Sequence, residues 1–478
     1  MIIRISNFGP IKEFEFNLDK DLTVTYGSNN IGKSYAMQVV YLLLKNISDL
    51  PSRNGFLFQH FERGVSNEKA IFQSILSSVD KSDKANDITD KINMNISEKL
   101  EFMIGSRLFT SFKNTFGDLT YLGGKGSKNK PKVQIIFDKY NVKLVIGDRI
   151  KFEDFDIGYK VYGRKSSSNR LQTTRENNIY LYCNDNSEKF IEGINDIVGK
   201  ETNRFINTVC ENVSDVYFLP ASRSGIYSGM SAFGQIIAEL SRNRSLLTKK
   251  IELPGISEPI SDYFISLTEI NTSNYFKLQQ SEFALIAKEI ETEILRGEVR
   301  FDNNKKALLY RPINMDIDLE MTSVSSMVSE MSPIVAFLKY IIARNSMKQW
   351  PVNRKSKPII FIEEPEAHLH PENQIKLIQV FAKLINYNVK LIVTSHSNYI
   401  FNKLNNLVLA KKLEVERYCP IILTQRDTGS MSKLMDIDEL GVSDENFIDV
   451  SEALYEEREK IIEELNAGVD EDDNTDKE

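Results

Sequence analysis

Residues Gly27-Ser28-Asn29-Asn30-Ile31-Gly32-Lys33-Ser34 have the spacing GxxxxGK[ST]. Glycines at such positions let backbone N–H groups fold around a phosphate chain, and a helix beginning at the lysine aims its positive end at the same place. Lys33 would then reach the β- and γ-phosphates of ATP, and the Ser34 hydroxyl would hold Mg²⁺. A Gly/Ser-rich turn also arises by accident, so the flanks decide. Leu22, Val24 and Tyr26 alternate as a strand ahead of the loop, and SYAMQVVYLLLK (34–45) reads as a buried helix behind it.

A second stretch, Phe361-Ile362-Glu363-Glu364, ends an apolar strand in two carboxylates. The first acid of such a pair holds Mg²⁺, usually through water, and the second orients or deprotonates the attacking water. Glu363 is one methylene longer than the Asp common there, which suits an indirect contact. Two solvated acids at a strand end are the plainer alternative, and the phosphate loop in the same chain argues against it. Val393-Thr394-Ser395-His396 ends the next strand, where His396 can bond the γ-phosphate or the attacking water. The chain has four histidines, His60, His368, His370 and His396. His368 and His370 lie in Pro365-Glu366-Ala367-His368-Leu369-His370-Pro371, which fits a rigid loop with imidazoles on the backbone better than a metal site.

The elements that must position these groups follow from the hydrophobic pattern. Ile2–Ile5, then Phe14, Phe16 and Leu18, read as strands around an Asn7-Phe8-Gly9-Pro10 turn. Helical patterns cover about 55–115, 187–212, 230–296 and 326–345. Short strands are expected at 133–138, 142–148, 159–163, 178–183, 216–219, 298–302, 306–311 and 315–319. The last lobe alternates strand and helix (358–362, 371–386, 389–395, 398–410, 420–425), as a mostly parallel sheet covered on both faces requires. The tail after Glu464 is acidic, nearly free of apolar residues, and expected to be disordered. The length, 478 residues, suggests about three compact units.

Together GSNNIGKS, FIEEPEAHLHP and VTSHS, in that order with a long insertion between the first two, resemble an ABC-type ATPase head of the SMC, RecF and OLD-like group. The opening IRISNFGPIKEFEF is similar to that group's N-terminal strands. The resemblance implies an α/β fold: an ABC-type P-loop ATPase head with split lobes, N-terminal antiparallel strands and a mostly helical insertion. Residues 1–50 would be the N-terminal part of the head and 51–320 an insertion with a helical lid and a β-rich lobe. Residues 321–425 would be the C-terminal part, and 426–478 a helix and tail. The resemblance further implies an Mg²⁺-dependent ATPase with Lys33, Glu364 and His396 as catalytic residues. Ser34 and Glu363 would attend the metal.

It also implies a homodimer or larger homo-oligomer in which a signature stretch of one subunit caps the ATP of the other. The matching stretch is Ser323-Val324-Ser325-Ser326-Met327-Val328-Ser329-Glu330, with Ser325 and Ser326 against the nucleotide. It lacks the glycines of LSGGQ and looks more like the serine-rich versions of the OLD-like group. Its bland alternative is an ordinary serine N-cap. No Q-loop glutamine is assignable. Arg223, in Phe218-Leu219-Pro220-Ala221-Ser222-Arg223-Ser224-Gly225, is a candidate phosphate or partner contact.

Composition bounds the rest. Lys plus Arg is 60 and Asp plus Glu 67, a net charge of −7, so nucleic acid coating the whole surface is disfavoured. Local contact with DNA stays open through Lys125, Lys128, Lys130, Lys132, Arg164, Lys165, Arg170 and Arg175, although basic loops are more often simply solvated. The scattered Cys183, Cys210 and Cys419 fit no metal or redox spacing, and the expected location is cytoplasmic, away from membranes. Asp436-Ile437-Asp438 reads as acids leading a helix, not as a nuclease site. A head without its own effector resembles the ATPase subunits of two-gene bacterial antiphage systems such as PARIS or Septu. That implies a co-encoded nuclease or toxin effector and a phage protein as a possible trigger. A RecF-like repair ATPase that binds DNA directly is the alternative.

Overall fold

The computed structural model describes residues 1–50, 73, 75–77, 79, 85–123, 129–165, 172–183, 187–229, 255–272, 278–348, 357–442 and 454–462. The chain opens with the hairpin β1 (Ile2–Phe8) and β2 (Ile11–Asn17), followed by β3 (Leu22–Tyr26) and α1 (Lys33–Ser48). After β4 (Asn86–Asp87), α2 (Thr89–Leu100) and α3 (Ser106–Phe116) come β5 (Lys132–Phe137), β6 (Tyr140–Ile146) and β7 (Ile150–Asp156). Then follow β8 (Val161–Lys165), β9 (Gln172–Arg175), β10 (Asn178–Cys183), α4 (Ser187–Asn212) and β11 (Val213–Leu219). Helices α5 (Glu258–Thr268) and α6 (Glu282–Ile290) precede β12 (Gly297–Asp302), β13 (Ala307–Pro312) and β14 (Leu319–Glu320). Helix α7 (Ser326–Ala336) continues through π-helical Phe337–Ile342 into α8 (Ala343–Lys348). The last lobe is β15 (Lys357–Glu363), α9 (Pro371–Asn386), β16 (Lys390–Thr394), α10 (Asn398–Leu409), β17 (Tyr418–Arg426) and β18 (Gly429–Leu434), and a small hairpin, β19 (Ile437–Asp438) and β20 (Gly441–Val442), ends it.

One eleven-stranded sheet, in the order β11-β15-β16-β3-β17-β18-β2-β1-β5-β6-β7, carries the fold. Strands β11, β15, β16, β3 and β17 run parallel. Their apolar runs are buried on both faces, and successive side chains serve opposite cores. Ile359 and Phe361 pack with α1 and the N-terminal hairpin, whereas Ile360 and Ile362 pack with α7, α9 and α10. The amino ends of β3, β15 and β17 are fastened by Asp21, whose carboxylate accepts from Lys357 Nζ (2.6 Å) and Arg417 Nε (2.7 Å). The split P-loop ATPase head implied by the sequence is the fold observed.

The sheet crosses the boundary drawn at residue 51. β5 pairs antiparallel with β1 (Ile5↔Val133), so β5 to β7 extend the N-terminal hairpin. β11 pairs in parallel with β15 (Phe218↔Phe361) and belongs to the head's own sheet. Only part of the expected β-rich lobe is separate: β4, β8, β10 and β9 form a four-stranded sheet. Alternation identifies a strand but not its neighbour, and the open edge of β1 needs cover.

One further expectation changes. Asp436-Ile437-Asp438 leads no helix; Ile437 and Asp438 form β19, and Asp438 accepts from the Leu440 N–H (2.7 Å) in the turn. The helical expectation over 230–254 and the acidic tail after Glu464 lie outside the described residues, as do Lys125, Lys128 and Arg170. Ser326–Asn345 is the one described helix long and apolar enough to cross a bilayer, and 83% of its 18-residue apolar stretch is buried inside the fold, as in a core helix.

Phe361 is fully buried, stacked on Phe218 (6.4 Å between centroids) and edge-on to Tyr41 (5.7 Å). Phe361→Ala should cost about 3–5 kcal/mol. Chemical denaturation would measure it, and a loss below about 1 kcal/mol would mean that β15 is not the packed centre of the sheet.

Candidate nucleotide site

The carboxyl ends of β3, β15 and β16 lie side by side, since β16 pairs with both others. Ligands of open α/β sheets bind at such an edge. The loop after β3 is Gly27 to Gly32. Gly27 has φ 140°, and a Cβ there would stand 2.4 Å from the Leu423 carbonyl oxygen of β17. Gly32 has φ 102°, with a Cβ 2.8 Å from Pro10. Glycine is required at both places, and Asn30 takes the remaining left-handed position at φ 61°. Ser28, Asn29 and Asn30 are exposed along the rim, and Ile31 is buried beneath it.

Lys33 is the first residue of α1 and is buried; its Nζ donates to the carbonyls of Gly27 (3.0 Å) and Ser28 (2.7 Å). Burial brings this ammonium down to about 8, against the pull of Glu364 and Glu366. A phosphate chain in the loop would supply the negative charge that the buried ammonium lacks.

Glu363 ends β15 and is buried. Burial pushes its carboxyl up to about 7, although the Ser34 hydroxyl and the Ala221 N–H (3.4 Å to Oε2) bond to it. Its Oε1 is buried without a hydrogen-bond partner. An orphaned carboxylate oxygen beside a serine hydroxyl at a phosphate loop fits an Mg²⁺ ion, which keeps most of its waters and takes few protein ligands. Among the described residues no group of three or more His, Cys, Asp or Glu side chains could hold a metal, so phosphate and water oxygens would complete the shell.

Glu364 follows at φ 41°, a strained left-handed conformation for a glutamate, held by its N–H donating to the Thr394 carbonyl (3.1 Å). This turns its half-exposed carboxylate toward His396, with Nε2 to Oε1 at 3.3 Å. The bond with His396 holds Glu364 below the usual carboxylate range. Glu366, absent from the residues expected to act, bears on the same histidine. Its Oε1 accepts from Ser395 Oγ (2.7 Å) and from the His396 N–H (2.6 Å), and its shielded Oε2 has no partner. It was visible in the sequence only as the third acid of EEPEA.

The structure thus brings Gly27 to Ser34, Glu363, Glu364 and His396 to one sheet edge. Ser325 and Ser326 belong to a different element. Both are exposed at the start of α7, where Ser325 is the N-cap and accepts from the Val328 N–H (3.4 Å). Arg223 is not a phosphate or partner contact. It is fully buried, and its guanidinium is spent on protein groups, among them the carbonyls of Glu363 (2.9 Å) and Pro220 (3.1 Å). His370 caps α9, its Nδ1 accepting from the Glu372 N–H (3.4 Å), in keeping with the rigid-loop reading. His368 is exposed in the loop at φ 63°.

A family model described as AAA ATPase domain matches residues 1–401. Endonuclease GajA of Bacillus cereus (strain HuB5-5) is 22% identical over 402 residues, 81% of this chain and 53% of that protein. The chain therefore spans about half the length of this curated relative. Among solved structures, an SMC head domain from Thermotoga maritima is 10% identical, covering 91% of this chain and 98% of its own, with a TM-score of 0.34. An SMC head with an extended coiled coil, bound to the C-terminal domain of ScpA derived from Pyrococcus furiosus, is 12% identical over 97% of this chain and 98% of its own, at 0.38.

The raised Glu363 carboxyl predicts a pH dependence of the nucleotide-free, Mg²⁺-free protein. A carboxyl moved from 4.5 to about 7 is kept protonated by the fold, so its contribution to stability falls as pH rises through that window. Glu363→Gln should therefore melt above the parent protein at pH 8, by on the order of 2 kcal/mol, with the difference vanishing near pH 4.5. Parallel melting curves at every pH would refute the buried, unpaired charge.

Proposed function

Because this chain belongs to the AAA ATPase domain family, we propose that it is an ATP-switched head that governs a separate nuclease or toxin effector in bacterial antiphage defence. The observation that carries the ATP-hydrolysing part is the orphaned Glu363 oxygen, buried next to Ser34 at the foot of the phosphate loop. Gly27 to Gly32 wrap the phosphates with backbone N–H groups, and Lys33 turns from the loop carbonyls to the β- and γ-phosphates. Ser34 and Glu363 would hold Mg²⁺, which would neutralise the charge that develops on the phosphates. Glu364 orients the attacking water and takes its proton. His396, fixed through its backbone by Glu366, keeps the Glu364 carboxylate aimed and ionised. Ser325 and Ser326, exposed at a helix N-terminus, receive the γ-phosphate held by a second copy, so the working unit is a homodimer or larger assembly.

The effector is assigned to another protein. Nuclease chemistry needs several carboxylates converging on metal. Asp438 is engaged by its own turn, and Asp436 stands beside the same small hairpin. Similarity to an endonuclease supports a nuclease-linked role, and the ATPase family match through residue 401 supports the head as the shared portion. No comparison favours the repair alternative.

Lys33→Ala should abolish ATP binding. Glu364→Gln should bind ATP normally, hydrolyse it roughly 10²–10⁴-fold more slowly, and collect as an ATP-bound dimer on size-exclusion chromatography. Turnover equal to that of the parent protein would remove Glu364 from the mechanism. The purified chain, given Mg²⁺ or Mn²⁺, ATP and plasmid, should leave the DNA intact. Cleavage that survives Lys33→Ala but is lost in Asp436→Ala/Asp438→Ala would place a nuclease in this chain.

A further inference from the structure

Arg223 is an expensive residue to bury. A guanidinium keeps its charge in the interior, and replacing a buried ion pair by apolar groups is often neutral or stabilising. Burial pushes its pKa below the ordinary value, with Glu330 opposing. Its placement is therefore better explained by what it connects than by net stability.

Three elements meet on this one side chain. At the end of β11, Nη1 donates to the Pro220 carbonyl (3.1 Å). At the end of β15, Nη1 donates to the Glu363 carbonyl (2.9 Å) and Nη2 to that of Glu364 (3.4 Å). On α7, Nε donates to the Glu330 carbonyl (3.0 Å) and lies 3.4 Å from the Glu330 carboxylate. That carboxylate, itself buried, also accepts from the backbone N–H groups of Arg223 (3.1 Å) and Ser224 (3.3 Å) and from the Ser224 hydroxyl. A planar fork satisfies all these acceptors at once only at one spacing of helix and strand end.

Glu330 stands little more than one helical turn beyond Ser325 and Ser326. Pro333, inside α7, has no N–H to give the Ser329 carbonyl, so the segment bearing the serines and Glu330 is less tightly joined to the helix behind it. A shift of that segment would reach the backbone of both Glu363 and Glu364 through one rigid side chain.

We propose that Arg223 and Glu330 are positioning residues that couple the serine-bearing start of α7 to the hydrolytic end of β15 in the same chain. This rests on the reading that Ser325 and Ser326 receive a partner's γ-phosphate. Loading of one composite site then sets the geometry of Glu363 and Glu364 in the other, and the two sites of a dimer hydrolyse in concert.

The test uses the full-length chain. Glu330→Gln should leave the affinity for a fluorescent ATP analogue within about threefold while kcat falls about tenfold or more, as displaced attacking geometry does. Equal losses in affinity and kcat would overturn the proposal. In mixed dimers whose other chain carries Lys33→Ala, no phosphate reaches α7 of the intact-loop chain. Adding Glu330→Gln to that chain should then cost nothing further. The same fold-loss in both backgrounds would mean a merely structural role and would also overturn the proposal. If Glu330→Gln does not fold, the apolar pair Arg223→Met/Glu330→Leu replaces it, with the same expectations. Ser326→Arg reports separately on the underlying reading: turnover like that of the parent protein would show that no phosphate docks on α7, whatever Glu330 does.

Discussion

A carboxylate buried with one oxygen unpaired is costly, and the fold keeps Glu363 in that condition at the floor of the phosphate loop. Much of the surrounding arrangement answers that cost. Ser34 and the Ala221 N–H bond to the carboxylate, and Arg223 binds the carbonyl of the same residue. Charge is rationed across the site: Lys33 is pushed toward neutrality, Glu363 toward protonation, and Glu364 alone is held firmly ionised by His396. Two neighbouring glutamates thus take opposite environments, one fit for a cation and one fit to act on water. Their separation follows from backbone geometry, because Glu363 completes the strand while Glu364 turns out of it at φ 41°.

The parts of the site legible in the sequence were those fixed by local rules. GxxxxGKS is constrained by its own turn, and a strand running into two acids announces its end. Both landed where spacing placed them. What the sequence did not disclose depends on packing between distant segments. Arg223 read as a candidate phosphate or partner contact in a loop, and only the meeting of β11, β15 and α7 turns it inward. Glu330 read as the end of a serine-rich stretch, and Glu366 as one acid among several. No periodicity marks a side chain whose partners lie 107 or 30 residues away, as those of the Arg223–Glu330 and Glu366–His396 bonds do.

The same distinction explains the fold. Strands 133–138 and 142–148 were recognisable from alternation, but their attachment to β1 was not, since pairing partners are chosen by open edges and twist. The short Ile437–Asp438 strand was missed because two residues make no pattern; the hairpin is held from outside by Asn405, which bonds both the N–H and the carbonyl of Val442.

The central sheet has a temporal consequence. β3, which leads into the phosphate loop, lies between β16 and β17, so its neighbours are encoded almost 400 residues downstream. At about 5–20 residues per second, a ribosome needs roughly 20–80 s after completing β3 before both flanking strands exist. Until then the sheet edge under the loop is incomplete, and Glu363, Glu364 and His396 are themselves made only shortly before β17. A chain interrupted anywhere before β17 therefore carries the phosphate-loop residues without the flanking strand that completes their platform. The platform beneath the phosphate loop is thus completed late in synthesis.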